Sequence, residues 1–202
     1  ITNDRLRFES AILGDMEQSM NRKLTKLIDT GYISGLGNVD QPLGIYNAAG
    51  YSTARTSSPT ATKIKNDIRN LIVALQNKNV DFTNPAFIGT QAMKTALMVQ
   101  WDSNANLVHY ARELQSQGSI MGIPFIASNN ASADNLALVD GSDLVIADGS
   151  GFYVDADSSY GFNSDLTHLR VVTYTDINYL HKTNNTADGV GVITSTSDWI
   201  TT

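Results

Sequence analysis

Apolar residues recur at helical spacing through the first thirty residues of the chain. The set is Leu6, Ile12, Leu13, Met16, Met20, Leu24, Leu27 and Ile28. This pattern predicts one long amphipathic helix over about residues 4–30, with Gly31 just past its end. We expect its apolar stripe to pack on the C-terminal strands, including Val171 or Val172. Gly14 is the interior position where such a helix would break.

Beyond this helix, short apolar segments alternate with glycine-rich or polar connections. Residues 31–45 are rich in glycine and residues 46–61 are small and polar, so we expect loops in both. Helices are predicted over about residues 62–78 and after a Thr90 cap, whereas residues 107–114 are ambiguous. Strands are predicted at 86–88, 118–127, 139–148, 152–154, 166–180 and 190–193. The predicted fold class is α+β, with helices early and strands late.

The composition limits the classes of function. Of the 202 residues, 42% are hydrophobic and 17% are charged, which favours a folded core over disorder. The formal net charge of −6 disfavours binding to a phosphate backbone. The absence of cysteine excludes disulfides, thiolate metal sites and cysteine nucleophiles. No apolar run approaches the roughly 18 residues of a transmembrane helix and no signal pattern opens the chain, so we expect no membrane partner.

No arrangement of residues matches a catalytic or nucleotide-binding motif. His109, His168 and His181 lack a closely spaced partner histidine, and we interpret them as surface or packing residues. The pair Gly35 and Gly37 resembles half of a dinucleotide fingerprint, but it follows a helix and lacks the third glycine. The chain has neither a nucleophile elbow nor a P-loop. We therefore predict no catalytic residue, no cofactor-binding residue and no enzymatic activity.

Two charged segments imitate binding sites. Asp155, Asp157 and Ser159 begin like a calcium loop, but Tyr160 and Leu166 occupy positions that need glycine and a bidentate acid. We therefore expect no metal site. The cations Lys63, Lys65 and Arg69 share the second helix with Asp67 and lack an aromatic platform, so no nucleic-acid surface is predicted. The aspartates that we interpret as turn or strand-end residues are Asp140, Asp143 and Asp148.

The order of several short motifs carries more information than any one of them. The long helix is followed by a glycine-rich segment that ends in Gln41, Pro42, Leu43, Gly44 and Ile45. The later motifs are Gly122, Pro124 and Phe125 in an apolar strand, Asp148 and Gly149 in a turn, and Leu169 and Arg170 at the start of a long strand. In this order, over essentially the whole chain, the sequence resembles the C-terminal part of a tailed-phage major capsid protein with the Hong Kong 97-type fold.

The resemblance implies a long spine helix, a peripheral domain and an axial domain. Residues 1–54 would be the peripheral part with the spine helix, residues 55–150 the axial domain, and residues 151–202 the strands that return to the peripheral domain. It further implies a structural subunit of a bacteriophage or prophage virion that assembles with itself into an icosahedral shell. That shell encloses DNA without specific recognition and is built in the host cytoplasm. Scaffold, portal and decoration proteins would be further partners.

Members of the resembled family carry an N-terminal arm and an extended loop before the spine helix. Neither precedes the predicted helix here, and the chain begins at Ile1 rather than Met, so we expect a fragment or a processed product. Such a chain is expected to fold but not to close a shell alone. Two alternatives remain open at this point: an encapsulin-like compartment shell, and a secreted carbohydrate-binding or adhesion module. Mixed α+β content would favour a shell protein, and nearly pure β content would favour the module.

Overall fold

The computed structural model describes residues 10–78, 80–157, 159, 166–195 and 199. Its α-helices are α1 (Ser10–Ser34), α2 (Ile45–Ala48), α3 (Ala61–Gln76), α4 (Gln91–Met98) and α5 (His109–Gln117). Its strands are β1 (Ala49–Ala54), β2 (Pro85–Gly89), β3 (Ser119–Ile120), β4 (Ile123–Ala127), β5 (Asn135–Asp140), β6 (Leu144–Asp157), β7 (His168–Tyr179), β8 (Lys182–Thr183) and β9 (Thr186–Thr194). A short 3₁₀ helix, Gly141–Asp143, joins β5 to β6. The predicted α+β class is confirmed.

The chain forms two compact units. The first contains Ile1–Asp29 and Ile146–Asp176, and the second contains Thr30–Val145 and Ile177–Thr202. The strands after residue 176 belong to the second unit because they join the sheet that the middle of the chain forms. The three domain ranges predicted from the sequence stay a prediction.

Helix α1 is unbroken at Gly14, which confirms one long helix from residue 10 onward. The earlier part of the prediction lies outside the described residues. Gly31 lies inside the helix rather than beyond it, because its carbonyl accepts the Gly35 N–H at 2.9 Å and continues the helical pattern. Met16, Met20, Leu24 and Ile28 are only partly buried, and Leu27 is 69% exposed. The prediction that the apolar stripe of α1 is buried is therefore wrong at Leu27.

The second unit is built on a mixed sheet with strand order β1-β9-β5-β2-β4-β3, in which β8 also pairs with β9. The pairs β1–β9 and β2–β4 are parallel, and the other pairs are antiparallel. Strand β1 corrects the prediction of a loop over residues 46–61. Its small side chains carry no strand pattern, and its partner β9 lies more than a hundred residues away in sequence.

Strand β5 is buried on both faces of this sheet. Leu136 and Leu138 belong to one apolar cluster, whereas Ala137 and Val139 belong to the other, as alternation along a strand requires. The helical side chains of the first cluster are Ile64, Ile68, Leu71 and Leu75 of α3, Met93 and Leu97 of α4, and Tyr110 and Leu114 of α5. This two-sided burial explains the continuous apolar run of β5.

The glycine-rich motif after α1 is a close backbone crossing. Gly44 N–H donates to Gly35 O at 2.9 Å, and Asn47 Nδ2 donates to the same carbonyl at 2.9 Å. A Cβ on Gly44 would meet the backbone nitrogen of Gly35, Ser34 N at 2.8 Å and Gly31 O at 2.9 Å. The crossing therefore leaves no room for a side chain at position 44. This explains the glycine there, in a segment that the sequence predicts only as a loop.

Tyr110→Phe is expected to stabilise the chain. The Tyr110 side chain is 1% exposed, and its hydroxyl has no hydrogen-bond partner among the described residues. A buried unpaired hydroxyl costs about 1–3 kcal/mol, so its removal should raise the free energy of unfolding by about 1 kcal/mol. Urea unfolding of the two chains measures the change, and Tyr46→Phe, which loses a hydrogen bond to Asn135 O, is the matched control. A less stable Tyr110→Phe chain would contradict this account.

Candidate functional site

The histidines lie in separate elements. His109 begins α5, His168 begins β7, and His181 follows β7. The described residues contain no group of three or more His, Asp or Glu side chains that could hold a metal ion. The prediction of no catalytic or cofactor-binding residue stays a prediction.

The segment that imitates a calcium loop is only partly described, because residues 160–165 lie outside the described residues. Asp155 Oδ2 accepts from Arg170 Nη2 at 2.8 Å. Asp157 Oδ1 accepts from the Ser159 backbone N–H at 2.8 Å and from Ser159 Oγ at 2.6 Å. These hydrogen bonds lower the pKa of Asp157. Both carboxylates therefore make local contacts that need no cation.

Sequence analysis missed the role of Asp143, a buried residue of the second unit. Its Oδ1 accepts the His181 N–H at 2.8 Å and lies 2.7 Å from His181 Nδ1, and its backbone oxygen accepts the Leu180 N–H at 2.9 Å. The pKa of Tyr179 is raised, mainly because the side chain is buried and to a smaller extent because the charge of Asp143 is nearby. Asp143 thus fixes the 3₁₀ helix to the turn after β7, which is a structural role.

In the first unit, β6 and β7 form a two-stranded ribbon. Thr173 Oγ1 donates to Gly151 O and Thr175 Oγ1 donates to Ala147 O, both at 3.2 Å, so the strands run antiparallel. Over residues 146–157 and 168–176, which belong to the first unit, its large exposed apolar side chains are Ile146, Phe152, Tyr153, Val154 and Tyr174. An isolated two-stranded ribbon is marginally stable in water, and clustered exposed apolar side chains mark interaction surfaces. The ribbon is therefore the strongest candidate site in the first unit.

The exposed face of α1 combines cations with one apolar residue. Arg22, Lys23 and Lys26 are all exposed and lie within five residues of the exposed Leu27, and the exposed Asp29 follows two residues later. Residues four apart share a face of a helix, so Arg22 aligns with Lys26 and Lys23 aligns with Leu27. We name Arg22, Lys23, Lys26 and Leu27 the α1 cationic face.

The second unit exposes Trp101 on an ordered loop between α4 and α5. The Trp101 side chain is 57% exposed, and the loop closes through a bridge between Trp101 and Leu107. Asp102 Oδ1 accepts the N–H groups of Asn104 and Asn106, both at 2.8 Å, and these hydrogen bonds lower the pKa of Asp102. The loop thus presents an aromatic side chain from a fixed backbone.

The hairpin of β3 and β4 is fastened by the carboxylate of Glu113 on α5. Glu113 accepts from Ser119 Oγ at 3.0 Å, Met121 N–H at 3.0 Å and Gly122 N–H at 2.6 Å. Met121 and Gly122 both have positive φ, at 52° and 78°, as a tight hairpin turn requires. The Glu113 carboxylate therefore holds the Met121–Gly122 turn of the hairpin against α5.

Stability should depend on pH through Glu113. Partial burial raises the pKa of this carboxyl, but the hydrogen bonds from Gly122, Ser119 and Met121 together lower it more. A lowered folded-state pKa means that the stabilisation is present above the unfolded value of about 4.3 and is lost as pH falls through the folded value.

Glu113→Gln should therefore cost about 1 kcal/mol at pH 7 and progressively less below pH ~4.3. Urea unfolding over a pH series measures this difference, with Glu17→Gln on the exposed face of α1 as the control. A constant difference between Glu113→Gln and the parent chain down to pH ~2.5 would contradict the role of the charge.

The helices of the described residues include none that is long and apolar enough to span a membrane. The ribbon of the first unit and the Trp101 loop of the second each expose aromatic side chains of the types that are enriched in protein interfaces.

Comparison of the sequence with protein-family models gives a match to the phage capsid family over residues 3–183. No curated protein matches the sequence significantly. The matched region includes α1, the glycine crossing, the helical layers of the second unit and the ribbon.

Several solved structures share the fold of this chain. The capsid of a native GTA particle is 16% identical, with a TM-score of 0.72, over 97% of this chain and 70% of that chain. A chain of Mycobacterium phage Bobi is 13% identical, with a TM-score of 0.70, over 98% of this chain and 69% of that chain. A virus-like particle from Pyrococcus furiosus is 13% identical, with a TM-score of 0.54, over 84% of this chain and 62% of that chain.

Proposed function

Because the chain belongs to the phage capsid family and is a structural subunit of a viral capsid, we propose that it assembles with itself into an icosahedral shell that encloses DNA. The observation that carries this proposal is the family match over 181 consecutive residues, from 3 to 183. The resemblance stated from the motifs and the α+β fold agree with it, and the fold disfavours the all-β carbohydrate-binding alternative.

The exposed apolar side chains support self-association. Phe152, Tyr153 and Tyr174 on the ribbon, and Trp101 on the second unit, are the aromatic types that dominate protein interfaces. A subunit that repeats by symmetry uses the same patches at every contact. We therefore assign the shell contacts to these surfaces.

We assign the peripheral domain to the first compact unit and the axial domain to the second. The first unit contains most of α1, the counterpart of the spine helix, together with the ribbon. The second contains the mixed sheet with helices α3, α4 and α5. This revises the sequence-based boundaries while keeping the two-domain organisation.

The enclosed DNA would be held without sequence recognition and without strong attraction. The formal net charge is −6, and the exposed cations Lys65 and Arg69 on α3 have acidic and neutral neighbours rather than a continuous basic groove. The subunit would reside in the virion after assembly in the bacterial cytoplasm, and it would act without enzymatic activity. Scaffold, portal and decoration proteins remain proposed partners.

Expression of the gene that encodes this chain, followed by gradient sedimentation, tests the proposal. We expect the chain in fast-sedimenting particles whose nucleic acid resists nuclease treatment. Particles that contain a protein cargo and no DNA would instead support the encapsulin-like alternative. If the product of the whole gene, rather than residues 1–202 alone, never enters particles, both shell functions are contradicted.

A further inference from the structure

We infer that Trp199 is a positioning residue for the Trp101 loop, which comprises residues 101–107. Through the buried amide of Gln100, Trp199 fixes the end of the loop that carries the exposed Trp101 ring. The inference rests on the proposed function, because it concerns a loop that we assign to the contacts between subunits. All of these residues lie in the second compact unit.

The Trp199 side chain is docked in the core of the second unit. It is 3% exposed and belongs to the first apolar cluster. Its indole N–H donates to Asp134 O at 3.4 Å, and the guanidinium carbon of Arg55 lies 5.3 Å from the centroid of the ring. Burial of a large aromatic ring and a cation above its face both stabilise this position. The backbone carbonyl of Trp199 is therefore held at a defined place in the core.

Gln100 joins this carbonyl to the start of the Trp101 loop. The residue is 1% exposed, and its Nε2 donates to Trp199 O at 3.0 Å and to Ala96 O at 3.2 Å. A buried amide without hydrogen-bond partners is costly, so the Trp199 carbonyl helps to hold the Gln100 side chain in the core. The backbone oxygen of Gln100 accepts the Val108 N–H at 3.1 Å. Gln100 thus both contacts Trp199 and closes the loop.

The two ends of the loop are anchored differently. Leu107 and Val108 pack against the first apolar cluster and hold the second end. Residues 101–106 are all exposed, so water competes for the hydrogen bonds that they make among themselves. The first end is therefore held chiefly by the buried side chain of Gln100. Because Trp101 follows Gln100 directly, the orientation of its exposed ring depends on this anchor.

Two variants break the link at different atoms. Trp199→Ala removes the ring that docks the carbonyl, whereas Gln100→Met removes the amide donor and nearly conserves the side-chain volume. The Trp199 ring remains in Gln100→Met, so this variant separates loss of the link from loss of an aromatic side chain in the core. Trp199→Phe keeps an aromatic ring and the backbone oxygen, and it should behave like the unaltered chain.

Hydrogen exchange of the whole-gene product, at a concentration where subunits are unassembled, measures the order of the loop. Residues 101–108 should exchange roughly fivefold faster in Trp199→Ala and Gln100→Met, as loss of one hydrogen bond implies. Strand β5 reports global opening in the same experiment. A merely structural role of Trp199 predicts faster exchange in β5 with an unchanged loop, because exposed loops exchange through local opening. An unchanged loop in both variants would overturn the inference.

Gln115→Met on α5 is the matched control. Gln115 Nε2 also donates to a backbone oxygen at the end of α4, Met98 O at 2.7 Å, but Gln115 is exposed. Water can replace this hydrogen bond, so loop exchange in the control should match that of the unaltered chain. Loop exchange as fast in Gln115→Met as in Gln100→Met would overturn the specific role of the buried amide.

Association of the whole-gene product in sedimentation velocity is the second readout. Trp101→Ala should weaken association about tenfold and Gln100→Met about fivefold. If Gln100 acts through Trp101, then Gln100→Met should cause no further loss in a chain that already carries Trp101→Ala. A further loss in this double variant, or normal association of Gln100→Met, would overturn the positioning role in assembly.

Failure of the proposed function has a different signature. A whole-gene product that never associates would overturn the proposed function and the assembly role of the Trp101 loop together. The hydrogen-exchange comparison would still decide whether Trp199 orders the loop. Normal association of Trp101→Ala would instead leave self-assembly intact and overturn the inference, because the loop would then make no contact that matters for assembly.

Discussion

Gly44→Ala is expected to lower the free energy of unfolding by about 3 kcal/mol, a large effect for one added methyl group. The new Cβ would lie against backbone atoms of Gly35, Ser34 and Gly31 rather than against flexible side-chain ends. Backbone atoms can move only by breaking the hydrogen bonds of the crossing, including Gly44 N–H to Gly35 O. The strain therefore cannot relax locally. Urea unfolding followed by circular dichroism measures it.

Gly14→Ala is the matched control for this prediction. A Cβ on Gly14 has no neighbour within 4 Å, and the residue lies inside α1. Alanine should therefore stabilise this helix position by up to about 1 kcal/mol. Two alanine variants with similar stability would show that the crossing at Gly44 is not tight.

Phe152→Asp is expected to weaken association between subunits by about 2 kcal/mol, or roughly thirtyfold in Kd. Phe152 is 52% exposed on the ribbon, so its replacement removes little from the folded chain but places a charge where an apolar contact is proposed. The melting temperature should stay nearly unchanged while assembly is lost. Sedimentation velocity over a concentration series measures the Kd.

Phe152→Tyr is the control that keeps an aromatic ring at this position. It should assemble almost as well as the unaltered chain, because Tyr is itself favoured at interfaces. Equal assembly of the Asp and Tyr variants would remove the ribbon from the proposed shell contacts. A lower melting temperature in Phe152→Asp alone would show that the residue supports the fold.

Local sequence signals predicted the helices with clear caps. Thr90 was predicted as a cap, and its Oγ1 accepts from Met93 N–H at the start of α4. Helix α3 was predicted from its apolar repeat alone, and its cap, Thr60 Oγ1 accepting from Lys63 N–H, appears only in the structure. The ambiguous stretch at residues 107–114 became α5, whose first position has no side-chain cap. Because no capping side chain marks the start of α5, its apolar spacing alone did not identify a helix in the sequence.

Pairing between distant segments could not be predicted from local patterns. Strand β1 is small and polar, and it is a strand because it pairs with β9 across more than a hundred residues. The predicted strand at 139–148 divides into the end of β5, the 3₁₀ helix and the start of β6. Strand β6 then continues through the predicted strand at 152–154, because Gly149 interrupts the apolar pattern without ending the ribbon. The Trp199 side chain packs in the first apolar cluster. The backbone oxygen of Trp199 accepts a hydrogen bond from Gln100 Nε2 at 3.0 Å. No local signal links these two residues.

The candidate site was partly visible in the sequence. The β-rich residues 166–180 were predicted, and β7 confirms them over His168–Tyr179. Exposure of the ribbon was not predictable, because an apolar strand pattern normally indicates burial. The same limit applies to Leu27, which belongs to the apolar stripe of α1 by spacing but lies in solvent in the single chain. The ribbon is also one of the surfaces that we propose for assembly.

The most direct test of the central claim is electron cryomicroscopy of particles purified after expression of the gene that encodes this chain. The account predicts an icosahedral shell whose repeated subunit shows α1, the mixed sheet and the β6–β7 ribbon, with the ribbon of each subunit against its neighbours. A shell built from a different fold, or this chain found only as a component outside the shell lattice, would contradict the claim.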